Sequence, residues 1–199
     1  MMRKQFAYVS NADVNIGHYV NIHNLDSNKR CTILYRNRLP VYKAVDFAVH
    51  QINQQQDLLP NVTLGFVQLD DCLNALKALE VTPYFIPEKE SDPQPRPRCE
   101  VLTGNTTGGG LVEPYDVVGV LGPLTSIVSV AVAQILGTFE IPMVSTYATA
   151  NSLSDKSQYP YFLRLVPSDM AEEKTIIEVR IILACYSNCL TQLCAFKLN

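Results

Sequence analysis

Two hydroxyl-rich turns are the residues of this chain best suited to bind a small ligand. The first is Thr125-Ser126, which follows the apolar run 117–121 and Gly122-Pro123. The second is the segment 145–149, which follows the apolar run 141–144 and contains Tyr147 and Thr149. In an open α/β sheet, small ligands bind in the crevice at the carboxyl ends of the strands. Both turns are therefore predicted to face one binding crevice.

The chemistry that these turns could perform is the capture of a charged small molecule. A carboxylate at a helix N-terminus meets unpaired backbone N–H groups and the positive end of the helix dipole. The hydroxyl of Ser126 could add a further donor. The alternative is that Ser126 or Thr125 only caps the following helix. Asp169 could cap a helix that starts at Ala171.

No motif for catalysis accompanies the two turns. The sequence contains no G-x-G-x-x-G, no Walker lysine motif, no G-x-S-x-G and no H-E-x-x-H, so no catalytic residue and no cofactor is predicted. It has three histidines and no C-x-x-C pair, and no metal site is predicted. The net charge of −3, without a lysine or arginine stripe, argues against nucleic acid as a partner.

The elements that must position the turns alternate between strands and helices. Strands are predicted at 62–69, 117–121, 141–146 and 161–166, and helices at 41–52, 73–79, 126–137 and 171–179. This alternation, with apolar runs typical of strands covered on both faces, predicts an α/β fold with a doubly wound, mostly parallel sheet. The helix at 126–137 is apolar nearly all round, which fits either a buried core helix or one held between the sheet and a partner.

The rest of the chain is divided as follows. Residues 1–30 are polar and asparagine-rich, and we expect a poorly defined leader with at most one strand. Residues 31–180 are the partial lobe, interrupted at 83–114 by a long irregular loop rich in proline and glycine. Residues 181–199 are expected to be an atypical tail. No membrane span and no secretory signal is visible.

Two sequons, at Asn61 and Asn105, favour a secreted or cell-surface origin with glycosylation of both asparagines. The lack of a visible signal peptide conflicts with that origin. Either the chain is cytosolic or its N-terminus is incomplete.

At this point the sequence resembles the first lobe of family C G-protein-coupled receptors, such as metabotropic glutamate, calcium-sensing and taste receptors. The resemblance covers roughly residues 31–178 and rests on the order and spacing of several short motifs. They are the segments 38–48, 52–53, 58–65 and 70–72, followed by Gly122-Pro123, Ile141-Pro142, Leu153-Ser154, 159–163 and Val166-Pro167-Ser168-Asp169.

The resemblance implies a type I periplasmic-binding-protein fold, of which this chain supplies an incomplete first lobe. It implies a small amino-acid-like ligand, a homo- or heterodimer, and a place on the extracellular side of the plasma membrane. Signalling through a G protein would require the transmembrane part of a full-length receptor. The alternative is a soluble periplasmic-type binding protein, or the lobe of another receptor family.

The resemblance also assigns roles to individual residues. Ser126 matches the serine that binds the α-carboxylate of the ligand, with Thr125 beside it. Thr149 matches the residue that contacts the ligand's amino group, and Tyr147 falls where a backbone carbonyl takes part. Asp169 aligns with an acidic residue near the ligand's ammonium group.

One position departs from the glutamate-binding members of the family. These receptors carry an arginine for the distal carboxylate, where bidentate pairing is possible. The matching position here is about Val41, and Arg38 lies nearby in the sequence. Glutamate is therefore in doubt as the ligand, and an apolar amino acid remains open.

The resemblance implies that Cys31 and Cys72 form a disulfide, whereas two free buried thiols are the alternative. It also implies that Cys99, in the long loop, forms a disulfide between protomers of a dimer. Cys185, Cys189 and Cys194 have no counterpart in the family.

Overall fold

The structure is a computed structural model that describes residues 5–10, 12–55, 57–87, 99–102, 110–112 and 115–196. Its strands are β1 (Gln5–Ser10), β2 (Val14–Val20), β3 (His23–Leu25), β4 (Cys31–Leu34), β5 (Leu64–Asp70), β6 (Cys99–Leu102), β7 (Gly110–Val112), β8 (Val117–Leu121), β9 (Met143–Ser145) and β10 (Phe162–Arg164). Its α-helices are α1 (Leu39–Gln54), α2 (Ala75–Val81), α3 (Ser126–Thr138) and α4 (Asp169–Phe196). Short 3-10 helices lie at Arg36–Arg38, Thr82–Phe85 and Asn151–Ser154.

An eight-stranded sheet forms the centre of the molecule, in the order β10-β9-β8-β2-β5-β1-β6-β7. The five strands from β10 to β5 are parallel to one another, whereas β1 is antiparallel to β5. Ranked by their position in the chain, these five follow the order 2-1-3-4-5, which is typical of one class of doubly wound folds. The predicted mostly parallel α/β fold is confirmed.

Alternate residues of β5 show how the helices cover the two faces of the sheet. The Gln68 side chain faces α1, where its Nε2 donates to the carbonyl oxygen of Tyr42 at 3.1 Å. Val67 and Leu69 must therefore point to the opposite face, because side chains alternate along a strand. On that face they join the main core, together with residues of α2 and α3: Ala78, Val81, Val128, Val132 and Leu136.

Helix α3 is buried on one side only. Val128, Val132 and Leu136 pack into the core, whereas Ile127 is 78% exposed. The interpretation of this helix as buried on all sides is therefore wrong. Its outer surface keeps an apolar residue available for a partner.

The N-terminal residues contain much more structure than the expected leader. Strand β2 lies between β8 and β5, and its last four residues are buried. The prediction of at most one strand before residue 31 is wrong, because β1, β2 and β3 all lie there. The sequence hid β2 because Asn15, Gly17 and His18 interrupt its apolar residues, so no continuous valine, isoleucine and leucine run marks it.

The expected irregular loop at 83–114 also contains regular structure. The 3-10 helix Thr82–Phe85 overlaps its start, and β6 and β7 extend the sheet beyond β1. Cys99 begins β6, but its side chain lies outside what the structure describes, as does the whole of Asn105.

Helix α4 is far longer than predicted. The sequence predicts a helix at 171–179 and an atypical tail from 181, whereas one helix runs from Asp169 to Phe196. Asp169 is its first helical residue and so does not occupy the predicted N-cap position. Within the described residues, no helix combines the length and the apolar character that crossing a membrane requires.

The predicted disulfide between Cys31 and Cys72 is present, with the two Cα atoms 5.9 Å apart. It joins β4, which pairs with β3 in a separate two-stranded sheet, to the end of β5. Asn61 is exposed in the turn before β5, and its glycosylation stays a prediction.

Candidate functional site

The two hydroxyl-rich turns lie at the same edge of the sheet. Strands β8 and β9 are parallel neighbours with Leu121 opposite Val144, so both strands end side by side. Strand β2 lies on the other side of β8. From β8 the parallel strands continue to β9 and β10 on one side, whereas from β2 they continue to β5 on the other side. The carboxyl ends of β2 and β8 therefore mark the point where the strand order reverses, which is where ligands bind in open α/β sheets.

The turn after β8 is fixed by the backbone of Gly122 and Pro123. Gly122 has a φ of +83°, and a Cβ atom there would lie 3.2 Å from the carbonyl oxygen of Tyr19. Only glycine adopts this conformation at low cost. The carbonyl oxygen of Pro123 accepts hydrogen bonds from Ser145 Oγ at 2.7 Å and from Ser129 Oγ at 3.3 Å. Both serines are fully buried, so they fasten the β9 turn and helix α3 to the β8 turn.

Ser126 connects the two turns directly. Its Oγ accepts hydrogen bonds from the backbone N–H groups of Thr149 and Ala150, both at 3.1 Å. A serine hydroxyl has two acceptor lone pairs and one donor hydrogen. Since both lone pairs are occupied, the O–H group is left to donate. The side chain is only half-buried and stands on the first residue of α3, so a carboxylate there would also meet the helix N-terminus.

Thr149 is held by its backbone and keeps its side chain available. Its carbonyl oxygen accepts from the backbone N–H of Asp169 at 3.0 Å and from Arg164 Nη1 at 3.1 Å. No hydrogen bond is found for its hydroxyl within the described part of the chain, and the residue is half-buried. The Thr149 hydroxyl is therefore free to meet a polar group in the crevice.

Arg164 is a residue of the site that the sequence did not reveal. Its Nη1 atom donates to the carbonyl oxygens of Thr149 and Ala150, each at 3.1 Å. Its Nη2 atom donates to Ser154 Oγ. The guanidinium group thus fixes the loop that follows β9. The only available signal was a single cation within the apolar segment predicted as the last strand.

The other predicted ligand contacts lie around the same loop. Thr125 occupies the N-cap position of α3, but its side chain makes no capping hydrogen bond. Tyr147 is 67% exposed, and its backbone N–H contacts Ser145 Oγ at 3.4 Å. Asp169 is exposed at the start of α4, where an acidic side chain suits the helix dipole. Thr125, Tyr147 and Asp169 therefore lie around the loop that follows β9.

Position 41 carries an uncharged valine, and the nearby cation is Arg38. The guanidinium group of Arg38 lies just past the end of β2. Arg38 Nη1 donates to the carbonyl oxygen of Asn21 at 3.0 Å and to Asn24 Oδ1 at 2.9 Å. Its guanidinium carbon lies 4.6 Å from the ring centre of Tyr35. Arg38 is thus already committed to the segment that follows β2.

Two buried carboxyl groups, those of Asp70 and Asp71, lie at the end of β5 and next to the segment that follows β2. Asp70 accepts from His23, with 2.7 Å between His23 Nδ1 and Asp70 Oδ2. Burial raises the pKa of Asp70. Burial also raises the pKa of Asp71 to about 7, and the charge of Asp70 adds to this, while a backbone hydrogen bond from Leu73 and the charge of Arg38 oppose it.

The raised pKa of Asp71 predicts a pH-dependent stability. Its ordinary value is 3.8, so between pH values of about 4 and about 7 the folded state keeps a proton that the unfolded chain has released. The free energy of unfolding therefore falls as the pH rises through this window. Burial lowers the pKa of His18 from 6.5 to about 4, which acts in the opposite direction below pH 6.5.

The variant Asp71→Asn isolates the contribution of Asp71 to the pH dependence of stability, because His18 makes the same contribution in both proteins. Urea unfolding at pH 4.5 and pH 7.5 is expected to show the wild type losing stability relative to Asp71→Asn as the pH rises. The asparagine Oδ1 can still accept from the backbone N–H of Leu73, a bond of 2.9 Å in the native chain. A stability difference that does not change with pH would contradict the assignment.

One group of possible metal ligands occurs within the described residues: His23, Cys31 and Asp70, whose ligand atoms all lie within 4.8 Å of one another. The Cys31 sulfur is bonded to Cys72, so it cannot act as a thiolate ligand. Two donors remain, fewer than the three or four protein ligands typical of zinc sites.

Comparison with known proteins gives a consistent result. Residues 40–180 match the family described as the receptor family ligand binding region. The chain is 36% identical over 172 residues to metabotropic glutamate receptor 4 of Rattus norvegicus, which covers 84% of this chain and 18% of the receptor. It is 35% identical over 140 residues to metabotropic glutamate receptor 8 of Homo sapiens, which covers 69% of this chain and 15% of that receptor. The chain thus spans less than a fifth of the length of either relative.

Proposed function

Since this chain belongs to the receptor ligand-binding regions and is related to family C G-protein-coupled receptors, we propose that its crevice binds a small amino-acid-like ligand. The relatives are receptors and not enzymes, which agrees with a binding function. In the receptor that carries this region, binding on the extracellular side of the plasma membrane would be passed to a G protein.

The observation that carries this proposal is the bonding of Ser126. Its lone pairs are occupied by the N–H groups of Thr149 and Ala150, so its O–H group is left to donate to a ligand. A carboxylate is the fitting acceptor, because the uncapped N-terminus of α3 also favours negative charge. The ligand's ammonium group is then assigned to Thr149 and Asp169.

The distal part of the ligand is proposed to be apolar. Val41 stands where glutamate-binding members of the family carry an arginine, and Arg38 is engaged by Asn21 and Asn24. Without an arginine at position 41, a distal carboxylate would lack the bidentate partner that glutamate-binding members offer.

The proposed dimer rests on two features. Cys99 is expected to link two protomers through a disulfide, and the outer surface of α3, with Ile127 exposed, would lie against the partner. A non-reducing gel of the secreted region tests the link: a dimer band that Cys99→Ser removes is expected, and a monomer band in the parent protein argues against it.

The receptor function can be tested with a chimera of metabotropic glutamate receptor 4 in which residues 40–180 of this chain replace the matching segment. A panel of L-amino acids is applied to cells, and G-protein activation is recorded. An apolar amino acid is expected to activate the chimera more strongly than L-glutamate. Activation by L-glutamate alone would contradict the proposed ligand class, and surface expression without any response would contradict the receptor function.

A further inference from the structure

Two peptide units of the loop after β9 lie between Arg164 and Ser126. Arg164 Nη1 contacts the carbonyl oxygens of Ala148 and Thr149, at 3.5 Å and 3.1 Å. The N–H groups of the same two peptide units, which belong to Thr149 and Ala150, both donate to Ser126 Oγ at 3.1 Å. The peptide bonds here are trans, so each C=O bond points away from the N–H bond of its own unit. Arg164 and Ser126 therefore hold the two peptide units from opposite ends.

The guanidinium group of Arg164 is fixed in this position. Its Nη1 atom also donates to the carbonyl oxygen of Ala150 at 3.1 Å, and its Nη2 atom donates to Ser154 Oγ. The side chain is half-buried and stands on β10, opposite Ser145 of β9. No carboxylate forms an ion pair with Arg164 among the described residues. Its positive charge therefore acts on the carbonyl oxygens of the loop.

This charge influences the hydroxyl group of Ser126 through the two peptide units. Hydrogen bonds from a charged donor are stronger than those from a neutral one, and hydrogen bonds in a chain polarise one another. A cation at the carbonyl end of each unit therefore makes its N–H group a better donor to Ser126 Oγ. Because these N–H groups occupy both lone pairs of the oxygen, the O–H group stays available as a donor.

A simple anchoring role for Arg164 makes a different prediction. A side chain that only held the loop after β9 would affect every ligand of the crevice to the same extent. The orientation of the Ser126 hydroxyl affects a ligand through its carboxylate alone. The two roles can therefore be distinguished with a ligand that lacks this group.

We propose that Arg164 is a positioning residue for recognition of the ligand's carboxylate. Through the two peptide units from Ala148 to Ala150, it keeps both lone pairs of Ser126 occupied and the O–H group directed to the ligand. Arg164 itself does not contact the ligand. This role rests on the proposed function, in which Ser126 binds a carboxylate.

Hydrogen exchange of backbone amides, followed by NMR in the ligand-free full chain, tests the contact without any ligand. Arg164→Met has a similar length but no donor and no charge. The amides of Thr149 and Ala150 should exchange at least about tenfold faster in this variant, because their peptide units lose a charged partner. Arg180→Met is the matched control, since Arg180 is exposed on α4, and it should leave both exchange rates unchanged.

Calorimetry on the chimeric ectodomain tests the effect on recognition. The probes are the L-amino acid that activates the chimera most strongly and its α-carboxamide. Arg164→Met should lower the preference for the amino acid over the amide at least about threefold. In the Ser126→Ala background, the same substitution should change this preference by less than about twofold, because the hydroxyl through which Arg164 acts is absent.

The two measurements separate this role from the proposed function. Unchanged exchange rates in Arg164→Met, or an equal loss of preference in both backgrounds, would overturn the proposal. If the parent ectodomain shows no preference for the amino acid, the proposed function fails, and the exchange rates alone decide whether Arg164 holds the contact with Ser126.

Arg164→Lys replaces Arg164→Met if the methionine variant does not fold. A single ammonium group cannot reach the loop carbonyl oxygens and Ser154 Oγ together. The amides of Thr149 and Ala150 should then exchange at least about threefold faster than in the parent chain. Rates equal to those of the parent would overturn the proposal.

Discussion

Replacing Ser126 with alanine is expected to weaken the binding of an amino-acid ligand by roughly ten- to a hundredfold, since a hydrogen bond to a charged group contributes about 1.5–3 kcal/mol. The substitution removes the hydroxyl that is proposed to donate to the ligand's carboxylate. It also leaves the N–H groups of Thr149 and Ala150 without the acceptor that holds them at 3.1 Å. The measurement is the dissociation constant of the most active L-amino acid, taken by calorimetry on the chimeric ectodomain.

Two further variants separate ligand contact from general damage. Ser152→Ala removes an exposed hydroxyl for which the described residues show no hydrogen bond, and it should leave affinity unchanged. Ser126→Thr keeps a hydroxyl at the critical position and should retain most of the affinity. If Ser126→Ala binds as tightly as the parent protein, Ser126 acts only at the start of α3 and the assignment to the ligand is wrong.

Loss of the disulfide is expected to have the largest effect on stability. Cys31 and Cys72 close a loop of 41 positions, and the chain-entropy relation gives about 4 kcal/mol for a loop of this length. The double substitution Cys31→Ser with Cys72→Ser should lower the free energy of unfolding by this amount. Urea unfolding of the two proteins under non-reducing conditions measures the difference.

Ser27→Ala serves as the control for this experiment, because Ser27 is exposed between β3 and β4, where the bridge anchors the hairpin. Its stability should match that of the parent protein. Reductant should destabilise the parent protein to the level of the double variant and should leave the double variant unchanged. A double variant as stable as the oxidised parent would show that the bridge does not restrict the unfolded chain.

The strands that position the site were predictable where their residues form a mostly apolar run. Val117–Leu121 is an apolar run broken only by Gly119, and β8 has those bounds in the structure. Strand β2 could not be recognised in the same way, because its polar residues are buried through contacts with strands distant in sequence. His18 lies opposite Gln68 of β5 and Leu121 of β8, and only the assembled sheet shows this.

Among the site residues, some features were predictable from the local sequence and others depend on tertiary contacts. Ser126 was recognisable through the resemblance to the receptor family, because a hydroxyl after a strand and before a helix is also typical of a plain helix cap. Its occupied lone pairs were not predictable, since they depend on Thr149 and Ala150, more than twenty positions away. The role of Arg164 depends on a loop folding back over the end of its strand. Local pattern therefore identifies candidate groups, and tertiary contacts determine which of their donors remain free.

The most direct measurement of the central claim compares an L-amino acid with its α-carboxamide in the chimeric ectodomain and in its Ser126→Ala variant. The amide lacks the carboxylate that Ser126 and the start of α3 are proposed to bind. Calorimetry should show the parent ectodomain preferring the amino acid by at least about tenfold. In Ser126→Ala, this preference should fall substantially. A preference of the same size in both proteins would contradict the claim that the Ser126 hydroxyl binds the ligand's carboxylate.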